Sequence, residues 1–292
     1  MSLRRLVVSA DDFGAAPEVN RAVERAHREG VLTNASLMVT GDAAAAAVAV
    51  ARGLPTLGVG LHLVLAQGRS AAARTDIPRL VRRDGRFRDA PVVSGLRYAW
   101  LRLSRAGTRQ LRTEIEAQLA AFVRTGLRLS HVDGHLHMHL HPMVLPILVE
   151  LAPRYGIRAV RLTREPLARA IRYDGRHVVR RSLEGAVFAA LARFAAPRLR
   201  AAGIATPSRV YGMHRTGEID APYLTALIRD LPEGASEVYC HPAVASAPPL
   251  ARYQRGYANA QELAALTSPL VRAATRECGV ELINYHALSA WG

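Results

Sequence analysis

Side chains that can bind a metal ion or move a proton follow several apolar runs in this sequence. Asp11 and Asp12 come after LVVSA, His62 lies within GVGLHLVL, and His135 follows LRLSHVDG. One carboxylate and two imidazoles can hold a divalent ion and still leave coordination positions for water and substrate. Such an open site suits hydrolysis, because the ion lowers the pKa of bound water and polarises a carbonyl. We therefore predict that Asp12, His62 and His135 bind a metal ion.

Two further residues are candidates for proton transfer. In an extended chain the side chains of Asp11 and Asp12 point to opposite faces, so we predict different roles for the two carboxylates. Asp11 would take a proton from water, and His241, within YCHP, would protonate the leaving group. Structural roles are the alternative: an aspartate here can cap a helix, His62 can be a core residue, and His241 can cap a turn before proline.

The stretch SHVDGHLHMHLHP contains five histidines. If it were fully extended, its first and last histidines would lie ~33 Å apart, so one metal ion could contact only neighbouring members. We therefore expect a single ligand, His135, just past the end of a strand. His137 and His139 would follow in a loop along the path of the substrate, and together with Arg164 they are the predicted substrate-binding residues. The first and last histidines are predicted to be structural.

Alternating strands and helices must position these residues. Strands are predicted at LRRLVVSADDFG, NASLMVTG, LGVGLHLVLAQG, LRLSHVDGH, AVRLT (159–163), SRVYGMH, SEVYCH and VELINYHAL, with helical patterns between most of them. This alternation predicts an α/β fold with mostly parallel strands, a distorted, TIM-like (β/α) barrel that spans residues 1–292 as one domain. The stretch from Arg69 to Gly107 is less regular, with a hairpin turn at RRDGRF. In such a barrel the chemistry lies at the C-terminal ends of the strands, where the candidate residues fall.

Composition limits the class of protein. The chain has 292 residues, half of them hydrophobic, and a net charge of +15 in which every cationic side chain is arginine. Two cysteines cannot build a disulfide framework or a zinc finger. No uncharged apolar run reaches the ~18 residues that span a bilayer, and two aspartates interrupt the first run too early for a signal peptide. We therefore predict a cytoplasmic protein.

A basic segment from Arg154 to Arg215 holds fourteen arginines against three acids, which leaves a local net charge of +11. It includes LEGAVFAALARFAAPRLRAAG, a helical pattern containing Phe188 and Phe194 that could lie against the inner membrane and attract anionic lipid. A barrel helix with a solvated arginine face is the alternative. Nucleic acid is not expected as a partner, because interleaved aromatic residues and nucleic-acid motifs are lacking.

Five motifs in chain order, SADDFG, NASLMV, GLHLVL, HVDGHLHMHLHP and YCHP, resemble those of the YdjC-like carbohydrate deacetylases, which include chitooligosaccharide deacetylase. The resemblance covers most of the chain. It implies a barrel-like enzyme that removes acetyl groups from N-acetylated sugars with a divalent metal, commonly Mg²⁺, with Zn²⁺ as the alternative. In the motifs, Asp12, His62 and His135 fall on the metal-ligand positions and Asp11 falls on the position of the catalytic base.

Two longer phrases, RLVVSADDFGAAPEVNRAVERAHREG and RYGIRAVRLTREP, are similar to the hopanoid-biosynthesis-associated branch of that family. This similarity implies that the substrate is a glycolipid, N-acetylglucosaminyl bacteriohopanetetrol, and that the product is its glucosamine form. Three alternatives remain open at this point: deacetylation of soluble chitooligosaccharides, hydrolysis of another amide or a glycoside, and a non-enzymatic basic protein that binds RNA or anionic membrane.

Overall fold

A computed structural model shows the chain folded around a parallel β-sheet. The structure describes residues 3–87, 91–101, 103–173, 175, 177–246, 250 and 254–290. In this part of the chain the strands are β1 (Arg4–Phe13), β2 (Asn34–Leu37), β3 (Gly58–Leu63), β4 (Leu129–Gly134), β5 (Arg209–Tyr211), β6 (Gly234–Cys240) and β7 (Glu281–Leu282). The sheet order is β4-β3-β2-β1-β6-β5, and β7 pairs with the N-terminal part of β1.

Helices connect the strands, and a 3-10 segment follows β4. The helices are α1 (Pro17–Glu29), α2 (Ala44–Arg52), α3 (Pro91–Leu101), α4 (Arg105–Arg124), α5 (Leu145–Tyr155), α6 (Leu167–Tyr173), α7 (Val178–Ala201), α8 (Ala221–Arg229), α9 (Asn259–Leu266), α10 (Pro269–Glu277) and α11 (Tyr285–Ser289), and the 3-10 segment is His135–Leu140. Local signals set several starts: Pro17 lies in the first turn of α1, and the Asp220 side chain caps α8 by accepting from Tyr223 N at 2.8 Å. Among the described helices, none is both long enough and apolar enough to cross a membrane.

The strands lie in the core because helices cover the sheet. In β1 every residue from Leu6 to Phe13 is buried. Helix α1 turns Val19, Val23 and Ala26 toward the same core, at the spacing of one helical face. All strand pairs of the sheet are parallel, as strand–helix alternation predicts.

Residues 158–164 join the two edge strands, β4 and β5. On one side, Val132 of β4 donates to the carbonyl of Ala159 at 3.0 Å and accepts from the N–H of Arg161 at 3.2 Å. On the other side, the segment makes backbone hydrogen bonds to Ala205 and to β5. This seam curls the sheet into a distorted barrel and confirms the predicted TIM-like α/β fold.

The predicted elements differ from the structure in three places. The prediction of a regular strand at AVRLT is wrong. The segment makes only two isolated parallel bridges among the described residues, Val160 with Val132 and Ala159 with Ala205. VELINYHAL gives only the two residues of β7 before the chain turns into α11, and α3 lies inside the stretch expected to be irregular. The hairpin turn at RRDGRF is confirmed by the hydrogen bond from Arg82 N to Arg86 O at 2.8 Å.

Candidate metal centre

A cavity of about 740 Å³ lies at the C-terminal ends of the strands. Asp11 and Asp12 from β1, His62 from β3, His135 after β4 and His241 after β6 all line it. Residues far apart in sequence therefore meet at one place, because the C-terminal ends of parallel strands share one end of a barrel.

Asp12, His62 and His135 form a compact set of metal-binding atoms. Oδ1 of Asp12 lies 3.3 Å from Nε2 of His62 and 2.9 Å from Nδ1 of His135. The three residues are buried, and their donor atoms all lie within 4.8 Å of one another. A tetrahedral ion with bonds of ~2.0–2.2 Å separates its ligand atoms by roughly 3.3 Å, so these donor spacings fit one. The cluster could hold a divalent metal ion.

The charges around this cluster also favour a cation. Burial alone would raise the pKa of Asp12, but His135 and His62 hold it well below its usual range. Burial alone would lower the pKa of His62, but Asp133 and Asp12 outweigh it and raise that pKa to about 10. The buried carboxylates thus stabilise positive charge beside them, which a proton or a metal ion can supply.

The backbone of β1 is distorted at Asp12. Its φ angle is 60°, in the left-handed region that few non-glycine residues adopt, and the register with β2 shifts between Ala10 and Phe13. As a result, Asp11 and Asp12 both line the cavity, whereas a regular strand would send them to opposite faces. The prediction of opposite faces is therefore wrong. Backbone strain of this kind costs about 1–3 kcal/mol and clusters at functional sites.

Asp133 orients His62 from the side away from Asp12. Its Oδ1 accepts a hydrogen bond from Nδ1 of His62 at 2.8 Å, and its Oδ2 lies 2.7 Å from Ser36 Oγ and 2.9 Å from Arg161 Nη1. Burial alone would raise the pKa of Asp133, but Arg161 and His62 hold it well below its usual range. A carboxylate that accepts a hydrogen bond from Nδ1–H keeps the proton on Nδ1 and leaves Nε2 of His62 as the atom available to a metal.

Asp133→Asn should weaken metal binding about 10–100-fold, because the amide keeps the shape of the side chain but no longer fixes the tautomer of His62 as an anion does. The metal dissociation constant, measured by competition with a chelator, checks this expectation. Asp42→Asn is the matched control, since Asp42 is an exposed aspartate paired only with Arg69 at 3.5 Å among the described ion pairs. Equal constants for the Asp133 variant and the wild type would mean that Asp133 does not orient a ligand.

Arg161 holds Asp11 through two hydrogen bonds. Nη1 of Arg161 donates to Oδ2 of Asp11 at 2.7 Å, and Nη2 donates to Oδ1 at 2.8 Å. Arg161 is fully buried, and it also contacts Asp133 and Glu237 at 2.9 Å each. A bidentate pair of this type fixes the orientation of the carboxylate. One guanidinium therefore connects the predicted base with the carboxylate behind His62.

A second combination, Asp11, His62 and Asp133, also has its donor atoms within 4.8 Å of one another. Its carboxylate oxygens already accept hydrogen bonds: Asp11 accepts two from Arg161, and Asp133 accepts one from His62 and one from Ser36. A metal ion there would lie beside a buried guanidinium, which repels it. The set containing Asp12 is therefore the better metal site.

Gln254 holds the other oxygen of Asp12. Its Nε2 donates to Oδ2 of Asp12 at 2.5 Å, and its Oε1 accepts from Nδ2 of Asn259 at 2.8 Å. Because Oδ2 is engaged in this way, Oδ1 is the oxygen that faces the two imidazoles. Sequence reasoning missed Gln254, since a lone amide 242 positions away from Asp12 gives no recognisable signal. It likewise missed Arg161, whose only signal is a charged residue inside the apolar run AVRLT.

His241 lines the cavity between aromatic rings. Its ring lies edge-on to Tyr239 and Tyr257, with centroids 5.8 and 5.1 Å away, and its Nδ1 has no hydrogen-bond partner among the described residues. Burial is the main cause that lowers the pKa of His241. A neutral imidazole therefore prevails at neutral pH, and His241 can protonate a leaving group only after it has received a proton.

The five histidines separate because the chain coils after β4. Leu136 and His137 have positive φ angles of 55° and 56°, so a 3-10 segment takes the place of an extended strand. His137 lines the cavity, with Nε2 at 3.0 Å from the Tyr239 hydroxyl and Nδ1 at 3.1 Å from Thr163 Oγ1. The structure thus brings one of the three predicted substrate-binding residues to the cavity.

The other two predicted substrate-binding residues do not line the cavity in the described part of the chain. His139 is fully buried, and its Nε2 donates to the carbonyl of Arg161 at 2.8 Å. The guanidinium of Arg164 donates to the carbonyl of Ser208 at 2.7 Å. His141, which was expected to be structural, lines the cavity instead.

His139 should make the protein less stable in acid. Burial lowers the pKa of His139 to about 4, whereas an unfolded histidine has a pKa of ~6.5. A depressed folded-state pKa gives stability that is present above pH ~6.5 and is lost as the pH falls toward 4. In His139→Gln, the decrease in unfolding free energy from pH 7 to pH 5 should therefore be smaller than in the wild type by about 2 kcal/mol. Urea unfolding at both pH values measures it, with the exposed His177→Gln as control, and identical pH dependence in wild type and variant would contradict it.

A family model and individual relatives both relate this chain to the same group of proteins. The family model described as YdjC-like protein matches residues 5–277. A carbohydrate deacetylase of Geobacillus stearothermophilus is 33% identical over 286 residues, 97% of each chain. One of Brevibacillus brevis is 42% identical over 153 residues, 52% of this chain and 57% of that protein. A crystal structure from Enterococcus faecalis, described as a candidate cellobiose-phosphate cleavage protein, is similar with a TM-score of 0.74 and 25% identity, over 98% of this chain and 99% of that one.

Proposed function

The chain belongs to the family of YdjC-like proteins, and we propose that it is a carbohydrate deacetylase, a hydrolase that splits the amide bond between an acetyl group and an amino sugar. The observation that carries this proposal is the buried set of Asp12, His62 and His135 beside the fixed carboxylate of Asp11. Amide hydrolysis by metal-activated water requires a set of metal-binding side chains next to a carboxylate base, and these residues provide both.

We infer that Asp12, His62 and His135 hold the divalent ion. An ion bound there supplies Lewis acidity, which polarises an amide carbonyl and acidifies water. Two imidazole nitrogens with one carboxylate oxygen suit Zn²⁺ or another first-row transition ion, whereas Mg²⁺ prefers an all-oxygen set. We therefore propose an ion of the Zn²⁺ type ahead of the Mg²⁺ that the family resemblance implies. Elemental analysis of the purified protein distinguishes the two.

Residues of the chain divide the proton transfers. Asp11, held by Arg161, takes the proton of the attacking water, and His241 takes a proton from solvent and passes it to the departing amine. The products are acetate and a free amino sugar. His137 and Tyr239, joined at 3.0 Å, line the same cavity and offer polar groups to sugar hydroxyls.

An N-acetylglucosaminyl group on a lipid is the substrate that we propose. One wall of the cavity is apolar and comes from α7, through Leu183, Val187, Phe188 and Leu191. Such a wall suits an apolar aglycone next to the sugar. This supports the glycolipid implied by the hopanoid-associated branch, N-acetylglucosaminyl bacteriohopanetetrol, over soluble chitooligosaccharides.

Acetate release tests both levels of the proposal. The metal-loaded wild-type protein is incubated with an N-acetylglucosaminyl lipid in detergent and, separately, with diacetylchitobiose. We expect acetate from both and a higher kcat/KM for the lipid. Absence of acetate from every N-acetylated sugar would overturn the deacetylase assignment, whereas a higher kcat/KM for diacetylchitobiose would overturn only the lipid substrate.

A further inference from the structure

Exposed apolar side chains concentrate beside the mouth of the cavity. Among the described residues, eleven large hydrophobic side chains are exposed, and eight of them lie within residues 93–103 or 178–187. Single exposed apolar residues are normal on a protein surface, but a concentrated patch marks an interaction surface. The two stretches belong to α3 with the turn after it and to the first half of α7.

Helix α3 presents one apolar face to solvent. Val93, Leu96 and Trp100 follow the i, i+3, i+7 spacing of a single helical face, and Trp100 is 73% exposed. The opposite face is anchored, because Tyr98 is buried and its hydroxyl donates to the carbonyl of Leu65. Helix α3 is therefore packed against the protein through its buried side, and its apolar side faces solvent.

Helix α7 presents a second apolar face. Val179, Leu183 and Val187 follow the i, i+4, i+8 spacing, and Val179 is 77% exposed. Phe188 and Phe194 pack partly buried against the core, which agrees with the alternative of a barrel helix for these two side chains rather than with their contact with a membrane. The solvent-facing apolar side of α7 is therefore formed by Val179, Leu183 and Val187 and does not include its two phenylalanines.

These two faces border the cavity. Gly95 of α3 and Leu183 and Val187 of α7 line it, and both helices contact the 3-10 segment that carries His135 and His137. We name the six side chains Val93, Leu96, Trp100, Val179, Leu183 and Val187 the apolar rim. Through Leu183 and Val187, the apolar rim is continuous with the wall of the cavity.

The charge around the apolar rim is positive. Helix α3, residues 178–190 of α7 and the adjacent α6 together contain five arginines, of which Arg181 is buried. The other four outnumber the two acids beside them, Glu184 and Asp230. Arg180 and Arg172 are well exposed, with 67% and 72% of their side chains accessible, and their ion pairs with Glu184 at 3.9 Å and Asp230 at 3.5 Å lie at the surface. Exposed aliphatic and Trp side chains with arginines around them match the apolar edge and the anionic headgroups of a lipid bilayer.

We propose that the apolar rim docks on a bilayer that contains anionic lipid and holds the mouth of the cavity at the membrane surface. Aliphatic residues and one Trp insert at the headgroup level, and the arginines contact lipid phosphates. The docking itself stands on the exposed residues. Its consequence, access of the cavity to a lipid-linked sugar from the membrane, rests on the proposed function.

Vesicle flotation tests the docking. The wild-type protein is mixed with vesicles of phosphatidylcholine alone or with phosphatidylglycerol added, and its partition coefficient is measured at low and high salt. A triple variant, Leu96→Ser, Trp100→Ser and Val179→Ser, removes exposed side chains that do not line the cavity. Its matched control, Val123→Ser with Leu270→Ser, removes exposed apolar side chains on α4 and α10, which are 58% and 68% exposed.

We expect the wild type and the control to bind anionic vesicles, more weakly at high salt, and the triple variant to bind at least tenfold less. Deacetylation of diacetylchitobiose should be equal in all three, so loss of docking is distinguishable from loss of the proposed activity. Three results would overturn the proposal: no binding by the wild type, equal binding by the triple variant, or a wild-type dimer in solution that the triple variant loses. Equal binding to neutral vesicles would refute the role of the arginines.

Discussion

Replacing Asp12 with alanine should lower acetate release at least about 10³-fold and remove most of the bound metal, because the proposed metal site then loses its only carboxylate ligand and the reaction its proposed Lewis acid. Oδ1 of Asp12 faces both imidazoles of the cluster, at 3.3 and 2.9 Å, so no side chain of the set can compensate for its loss. The measurement is metal content by elemental analysis together with kcat on an N-acetylated sugar.

Two companions make the Asp12 experiment decisive. Asp12→Asn keeps the shape and the contact with Gln254 but removes the negative charge, so it should also lose metal, though less completely. Asp42→Ala removes an exposed aspartate and should behave as the wild type. Circular dichroism checks that each variant is folded. Wild-type metal content in the folded Asp12→Ala protein would show that the ion binds at a different site.

Asp11→Asn should keep the metal and yet lower kcat about 10²–10⁴-fold, the usual contribution of a general base. The amide cannot accept the proton of water, although it occupies the same space. The fold should persist, because Arg161 retains Asp133 and Glu237 as anionic partners at 2.9 Å each. The two adjacent aspartates would then separate into one residue that binds metal and one that moves a proton.

The Asp11 experiment requires metal content and kcat from the same preparation. Loss of metal in Asp11→Asn would favour the alternative donor set of Asp11, His62 and Asp133. Retention of metal with a kcat within about threefold of the wild type would remove Asp11 from the catalytic role, since a general base contributes far more than that. Asp42→Asn serves again as the control for an aspartate-to-asparagine change at the surface.

Much of the site could be predicted because it follows from strand ends. Apolar runs mark the strands, and a parallel barrel brings the residues after them to one end, so Asp12, His62 and His135 could be grouped without any contact information. Distance arithmetic excluded one ion shared by all five histidines, and the predicted end of the strand then selected His135 as the candidate ligand. That arithmetic assumed an extended chain, however, and the coiled 3-10 segment moved His141 to the cavity and His139 into the core.

What could not be predicted depends on backbone angles and on partners without a pattern. The φ angle of 60° at Asp12 lets the side chains of Asp11 and Asp12 point into the same cavity. Strand propensity does not predict such an angle. Gln254 and Arg161 act through single side-chain contacts across long sequence separations. Helix α3 was missed because Gly95 interrupts PVVSGLRYAWL and apolar residues lie on both its buried and its exposed side, so the sequence shows no clear 3.6-residue period.

Local opening of the seam at residues 158–164 should limit how long the barrel keeps its active arrangement. A regular ladder opens as a unit, whereas this segment is held by a few backbone bonds and by the buried ion pairs of Arg161. Amide exchange should therefore be faster here than in β1, since protection follows the free energy of local opening. Each opening would release the carboxylate of Asp11 from its guanidinium. With Asp11 as the proposed base, heating should abolish activity at a lower temperature than the one that unfolds the rest of the protein. Substitutions that stabilise the seam should therefore raise the temperature at which activity is lost.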